Sequence, residues 1–221
     1  MQLRIPFTGI HIGRFLFLFI SLILMFVLRP FLDGFTHITT LIPIFFLIIF
    51  VSAVFAVSQK KRTFFTALFL ALATEVSELW SHLSSSPYPN LLRDIFAGLL
   101  LAYTATHIVI YLFREKRVTG DLIIGAVCSY FLIGLAWSFL LSALETLQPG
   151  SFQAQQGMID QTTLTYYSFI TLTTVGYGDM TPVSSPARAL SVLEAMMGQL
   201  YVAIIIARLV GIHITRSDQS G

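Results

Sequence analysis

The residues best suited to chemistry form a short run in which glycine alternates with other residues, Thr174-Val175-Gly176-Tyr177-Gly178, called here the TVGYG segment. Glycine adopts positive φ without a Cβ clash, so glycine at every second position lets successive carbonyl oxygens point to one side of the chain. L-residues in a regular strand would alternate those carbonyls. The segment therefore permits a row of backbone carbonyl oxygens on one side of the chain.

The stretch just before this segment is typical of a short helix over Thr162–Thr173. Asp160 is well placed to cap its start, because an Asp side chain accepts hydrogen bonds from the first free backbone N–H groups. The C-terminal end of the helix would then face the TVGYG segment. The negative end of the helix dipole favours a cation there.

The composition indicates that most of the chain lies in a membrane. Of its 221 residues, 56% are hydrophobic and 11% are charged, against about 25% charged in soluble domains. The net charge of +2 gives no reason to expect a nucleic-acid partner. A bilayer core about 30 Å thick needs about 20 apolar helical residues. The stretches that qualify are Ile10–Leu28, Ile38–Val57, Phe64–Leu83, Leu91–Phe113, Leu122–Leu144 and Ala187–Gly211.

The distribution of basic residues predicts which side of the membrane each connection occupies. With a cytoplasmic N-terminus, all of the 13 Lys and Arg residues except Arg29, Arg93 and Arg188 fall on the inner side. This positive-inside bias predicts a multi-pass protein of the cell membrane with both termini in the cytoplasm and the TVGYG segment outside. A cleaved signal peptide is the alternative for the first span, but the sequence Leu28-Arg29 that follows it is a poor cleavage site.

The TVGYG segment and its place between the fifth and sixth spans resemble the tetrameric potassium channels, whose selectivity filter has this sequence. The resemblance covers about Asp121–Gly211. It implies an all-α membrane protein with six transmembrane helices, a re-entrant pore helix and filter loop between spans five and six, and a homotetramer that conducts K⁺ passively. The expected parts are a four-helix N-terminal transmembrane domain (1–113), a cytoplasmic linker (114–121), the pore domain (122–211) and a short cytoplasmic tail (212–221).

The resemblance also implies roles for the residues of the segment. The carbonyls of Thr174, Val175, Gly176 and Tyr177 would hold K⁺ ions, with the Thr174 hydroxyl supplying the innermost oxygen and Gly178 completing the filter. The side chains of Val175 and Tyr177 would point away from the axis. One segment supplies one oxygen per layer and the chain carries one copy, so four chains are expected around the axis. No cofactor beyond K⁺ is expected.

Support for the filter is expected from Thr173, Asp179 and Tyr167. Tyr166-Tyr167 stand where many relatives carry tryptophan, and they keep an aromatic hydroxyl that could hydrogen-bond Asp179. Ile170 stands where some relatives carry a glutamate, which removes a buried carboxylate behind the filter. Both departures are expected to affect how readily the filter inactivates rather than its selectivity.

The last span carries the candidates for gating. Gly198 is either a hinge or a small residue for close helix packing, which is common in membrane helices. Val202, Ile206 and Val210 recur every four residues. They could form a hydrophobic constriction that gates by dewetting, or they could face the fifth span.

The first four spans match a voltage sensor in number only. The fourth span holds a single arginine, Arg93, near its outer end, where voltage sensors carry several. Voltage work is about 2.3 kcal/mol per charge per 100 mV, so this helix predicts weak voltage dependence.

A charged cluster in the third span allows two interpretations. Glu75, Glu78 and His82 lie on one helix face, and intramembrane carboxylates are functional candidates. Together with Arg93 they could form a regulatory cluster that responds to external pH. Glu78 could instead pair with Arg93 as a structural contact between neighbouring spans.

Three rival functions stay open. A non-selective cation channel of the same architecture is disfavoured by Tyr177, a position that non-selective relatives usually alter. A potassium transporter subunit would carry four degenerate filter repeats in one chain. A membrane enzyme would need a nucleophile–base motif, which the sequence lacks, so the chain is expected not to be an enzyme. The expected partners are other copies of the chain, membrane lipid and K⁺, and a separate regulatory subunit stays open.

Overall fold

The computed structural model describes residues 13, 15–32, 48–53, 61–84, 86–155 and 157–217. Apart from two short strands, the regular structure in these residues is helical. The helices are α1 (Leu16–Leu32), α2 (Lys61–Leu83), α3 (Tyr88–Arg114), α4 (Gly120–Leu147), α5 (Gln161–Leu172) and α6 (Ser185–Ser217). The strands are β1 (Phe152–Ala154) and β2 (Met180–Pro182). Residues 48–53 are also helical.

Four of the described helices are long and apolar enough to cross a membrane: α2, α3, α4 and the Ser185–Ile212 part of α6. They coincide with predicted spans three to six. The predicted first span overlaps α1, a shorter apolar helix. Of the predicted second span, only residues 48–53 are described, and the rest lies outside the described residues. The chain is thus a predominantly helical membrane protein with at least four candidate spans.

Helix α4 lies at the centre of the packing, against α3, α5, α6 and α1. Small residues on α4 let neighbouring elements approach closely. The ring of Phe15 lies over Gly125, where an added Cβ would be 2.9 Å from it, and the ring of Phe169 lies over Gly134, at 2.7 Å. On the other side, the buried face of α3 includes Leu101 and Ile108. The α4 glycines therefore let α1 and α5 pack directly on its backbone.

The C-terminal part of α6 contacts the connection between α3 and α4. Arg208 Nη2 donates to the carbonyl oxygens of Phe113 at 2.9 Å and Glu115 at 3.2 Å. Phe113 lies in the last turn of α3 and Glu115 is its C-cap, where carbonyls lack intrahelical partners. Helix α4 then begins at Gly120, and the Thr119 hydroxyl accepts from Leu122 N as its cap.

The connection between α4 and α6 contains a two-stranded sheet that the sequence analysis did not predict. β1 and β2 pair antiparallel, with Phe152 opposite Pro182 and Ala154 opposite Met180. Phe152 and Met180 are buried while the residues after them are exposed, which is the period-two pattern of a strand. Each run is only three residues long, too short for that pattern to stand out in the sequence.

Helices α5 and α6 meet at Gly198. A Cβ built on Gly198 would lie 1.9 Å from the carbonyl oxygen of Leu172, the last residue of α5. Gly198 is therefore required for packing, and its role as a hinge stays a prediction.

We expect Gly198→Ala to lower the thermal unfolding midpoint of the detergent-solubilised protein, because the new Cβ meets a backbone oxygen that cannot swing away. Overpacking of this kind costs about 1–3 kcal/mol. Gly211→Ala is the matched control, since an added Cβ there meets nothing within 4 Å and alanine favours helix. Equal midpoints for the two variants would contradict the packing assignment.

Candidate cation-binding site

The backbone of the TVGYG segment alternates in handedness. The φ angles of Thr174, Gly176 and Gly178 are 59°, 55° and 78°, so every second residue is left-handed. An added Cβ at Gly176 or Gly178 would meet nothing within 4 Å of this chain. Glycine is therefore needed at these two positions for its φ angle rather than for space.

The left-handed conformation of Thr174 was not predicted. Among the described residues, it is the one non-glycine with positive φ, and a β-branched residue in that region is an outlier. Glycine occurs at every second position at Gly176 and Gly178, and the next position toward the N-terminus in this series is Thr174. This spacing is the sequence signal that could have predicted the positive φ of Thr174.

Hydrogen bonds from α5 and α6 hold the start of the segment. Thr174 N donates to Thr171 O at 2.9 Å, and Gly176 N donates to Ile170 O at 3.1 Å. From α6, Gln199 Nε2 donates to Thr174 Oγ1 at 3.1 Å. Strained backbone persists only where its surroundings fix it, and these bonds fix both the backbone and the hydroxyl of Thr174.

A second group of hydrogen bonds holds the end of the segment. Tyr166 donates from its hydroxyl to Asp179 Oδ2 at 2.8 Å. Gln155 donates from its backbone N–H to Asp179 O at 2.9 Å and from Nε2 to Gly178 O at 3.3 Å. The bond to the Asp179 carboxylate raises the pKa of Tyr166 to about 12, so the phenol remains a donor well into the alkaline range.

Of the two tyrosines expected to offer a hydroxyl to Asp179, Tyr166 makes the bond, and a supporting role for Tyr167 stays a prediction. The Tyr167 hydroxyl lies 2.7 Å from Ser191 Oγ on α6. Consecutive helical residues differ by about 100° around the axis, so the two tyrosines face different neighbours. Thr173 also acts within its own helix, since its hydroxyl donates to Phe169 O at 2.6 Å.

Helix α5 lies directly before the TVGYG segment in the chain. The prediction that Asp160 caps it is confirmed: Asp160 Oδ1 accepts from Thr163 N at 2.8 Å, and the Thr163 hydroxyl accepts from Asp160 N in return. The helix covers Gln161–Leu172, one residue earlier at each end than predicted. Its C-cap, Thr173, adjoins Thr174, so the negative end of its dipole lies at the start of the segment.

Several predicted site residues are exposed in the single chain. Val175 is 52% and Tyr177 is 72% exposed. Val202, Ile206 and Val210 of α6 are also exposed. Both alternatives for these three residues, a constriction and a contact with the fifth span, stay predictions. Elsewhere on α6, the Tyr201 hydroxyl donates to Ala126 O of α4 at 2.7 Å.

Three members of the predicted regulatory cluster meet where the C-terminal end of α2 adjoins the N-terminal end of α3. Arg93 Nη1 lies 3.2 Å from Glu78 Oε2, and His82 Nε2 lies 3.5 Å from Glu78 Oε1. The expected contact between Glu78 and Arg93 is therefore present. Glu75 lies close enough to Glu78 for their like charges to interact. A regulatory role for the four residues stays a prediction.

The sequence analysis missed the continuation of this cluster toward α4. Arg93 Nη2 lies 2.8 Å from Asp94 Oδ1, and Ser142 Oγ donates to Asp94 Oδ2 at 2.6 Å. The network thus joins α2, α3 and α4. The available signal in the sequence was an acidic residue directly after the single arginine of an apolar span. For the contact to Thr174, the available signal was Gln199, a polar residue next to Gly198 in the last span.

No curated protein matches the chain. A family model described as "Ion channel" matches residues 98–213, more than half of the chain. That match begins within α3 and takes in α4, the β1–α5–β2 connection and most of α6. It therefore contains the TVGYG segment and the residues that hold it, from Gln155 to Gln199, while the cluster around Glu78 and Arg93 lies before it. The chain belongs to this ion channel family.

Proposed function

We propose that the chain is one subunit of a potassium-selective channel and that the TVGYG segment is its selectivity filter. The observation that carries the proposal is the alternating left-handed backbone at Thr174, Gly176 and Gly178, directly after a capped 12-residue helix. A helix of that length rises about 18 Å, too short to cross a bilayer about 30 Å thick. In this proposal α5 enters the membrane from the outer side and the filter returns to it.

The carbonyl oxygens of the filter replace the hydration shell of K⁺. Left-handed residues at alternate positions turn successive carbonyls to one side, so those of Thr174, Val175, Gly176 and Tyr177 form a ladder of sites. The hydroxyl of Thr174 adds the innermost ligand, oriented by Gln199 at 3.1 Å. The dipole of α5 lowers the energy of a cation waiting at the inner end.

Four copies of the chain are needed to complete each ion site. One chain offers one oxygen per layer, and a cyclic tetramer supplies four. The exposure of Val175 and Tyr177 in the single chain fits side chains that pack against neighbouring subunits. The exposed apolar face of α6 with Val202, Ile206 and Val210 then lines the inner pore, where it can gate by dewetting.

The first half of the chain is proposed to respond only weakly to voltage. Arg93 is the single Lys or Arg of α3 before its last turn. It lies within salt-bridge distance of both Glu78 and Asp94. Arg93 is therefore held against carboxylates of α2 and α3 and is not free to move across the membrane as an isolated gating charge.

We expect the reconstituted protein to pass K⁺ and Rb⁺ but little Na⁺, and Gly178→Ala to abolish the selective current. Alanine at φ 78° carries a Cβ in a region that costs L-residues about 1–2 kcal/mol. The control is Gly150→Ala, at φ 82° with nothing within 4 Å of an added Cβ. It imposes the same strain in the loop before β1 and leaves the filter intact.

Reversal potentials under opposed K⁺ and Na⁺ measure the outcome. A wild-type potential near zero would point to the non-selective alternative. Selective, wild-type-sized current from Gly178→Ala, or equal losses in both variants, would contradict the filter assignment.

We also expect a shallow conductance–voltage relation, equivalent to about one gating charge or fewer per tetramer, because each charge contributes about 2.3 kcal/mol per 100 mV. Arg93→Gln tests the source of any residual slope and should leave it unchanged. A steep sigmoid in the wild type that Arg93→Gln flattens would contradict the proposal.

A further inference from the structure

The structure contains a carboxyl group that the proposed conduction mechanism does not use. Glu194 lies in α6, one turn before Gly198, and its relative exposure is 0%. Helices α4 and α5 pack against α6 here. Burying an ionised carboxylate without a compensating partner is among the most costly arrangements in a protein interior.

The Glu194 carboxyl group contacts a serine that is already engaged with α4. Glu194 Oε1 lies 2.5 Å from Ser168 Oγ of α5. Ser168 Oγ in turn lies 2.7 Å from the carbonyl oxygen of Gly134 in α4. The other carboxyl oxygen, Glu194 Oε2, is buried and has no hydrogen-bond partner in the described residues.

Counting hydrogens assigns the protonation state of this group. The Ser168 hydroxyl has one hydrogen to donate, and the Gly134 carbonyl can only accept. If Glu194 were ionised, two acceptors would compete for that hydrogen and one contact would be left without it. A neutral Glu194 donates to Ser168 Oγ, Ser168 donates to Gly134 O, and both contacts are satisfied.

Among the residues that the structure describes, no charged group provides a counter-ion for Glu194. Neither α4 nor α5 contains Lys, Arg or His, and the acids of α4, Asp121 and Glu145, lie at its two ends. Tyr130 of α4 is close enough to interact electrostatically with Glu194. The hydroxyl of Tyr167 on α5 is paired with a serine of α6. The neutral acid is thus the form that this environment favours.

We propose that Glu194 is a positioning residue that acts as a neutral acid, clamping α6 to α5 and, through Ser168, α5 to α4 in the conducting state. Ionisation of Glu194 at alkaline pH removes the donor and opens the clamp. Because Ser168 lies in the helix that ends at the filter, the opened clamp releases the support of the filter. The conduction part of this inference rests on the proposed channel function.

The test compares Glu194→Gln with wild type as the pH on both sides is raised from neutral, staying below the pKa of Tyr166. The Gln amide donates to Ser168 as the neutral acid does, but it does not ionise at alkaline pH. We expect equal currents at neutral pH, loss of most wild-type current on alkalinisation, and no such loss in Glu194→Gln. The control is Glu145→Gln, which removes the carboxylate that accepts from Gly150 N at 2.7 Å and should keep the wild-type alkaline loss.

Infrared spectroscopy provides a readout that does not depend on conduction. The wild type should show the C=O stretch of a neutral carboxylic acid above the amide I band, and Glu194→Gln should lack it. If Glu194→Gln does not assemble, Ser168→Ala replaces it and should shift that band upward, because the acid loses its acceptor.

Two results would overturn the proposal. One is an alkaline loss of current in Glu194→Gln equal to that of wild type, and the other is absence of the acid band or an unshifted band in Ser168→Ala. A protein that shows the band and its alkaline loss but passes no K⁺-selective current would contradict the proposed function and leave the protonation of Glu194 supported.

Discussion

A chain that is left-handed at every second residue cannot bond to itself as a helix or a strand does, so its conformation has to be held from outside. The TVGYG segment meets this constraint at both ends. Its start is bonded to the last turn of α5 and to Gln199 of α6. Its end is bonded to Tyr166 and to Gln155 beside β1. The strain at Thr174, about 1–2 kcal/mol for a left-handed L-residue, is comparable to the net contribution of one or two such hydrogen bonds.

The start of the TVGYG segment is bonded to α5, so the position of α5 has to be fixed, and α4 and α6 pack on either side of it. On one side α4 offers Gly134, where the ring of Phe169 lies directly over the backbone. On the other side α6 offers Gly198, which touches the Leu172 carbonyl. The buried contact from Glu194 through Ser168 crosses all three helices. Helix α6 thus contacts both α5, through Ser168, and Thr174, through Gln199, so a movement of α6 would act directly on the TVGYG segment.

The sequence predicted those features that depend on neighbouring residues, namely the helix cap at Asp160, the bounds of α5 to within one residue, and the positive φ of the two glycines. It did not predict features that depend on how helices rotate and meet. Which of Tyr166 and Tyr167 bonds Asp179 depends on the rotation of α5 about its axis, at about 100° per residue, and spacing alone does not give that rotation. The network from Glu78 to Ser142 joins three consecutive helices, and their rotation relative to one another is not given by local spacing.

In the proposed filter, backbone oxygens of Thr174–Tyr177 from four chains hold dehydrated cations on one axis. Anomalous diffraction from crystals of the assembled protein grown with Rb⁺ or Tl⁺ in place of K⁺ tests it most directly. The account predicts a line of anomalous peaks on a four-fold axis, each lying between successive layers of carbonyl oxygens, with the innermost peak beside the Thr174 hydroxyls. Peaks that lie only in wide, water-filled parts of the pore, or an assembly in which the TVGYG segments do not share an axis, would contradict it.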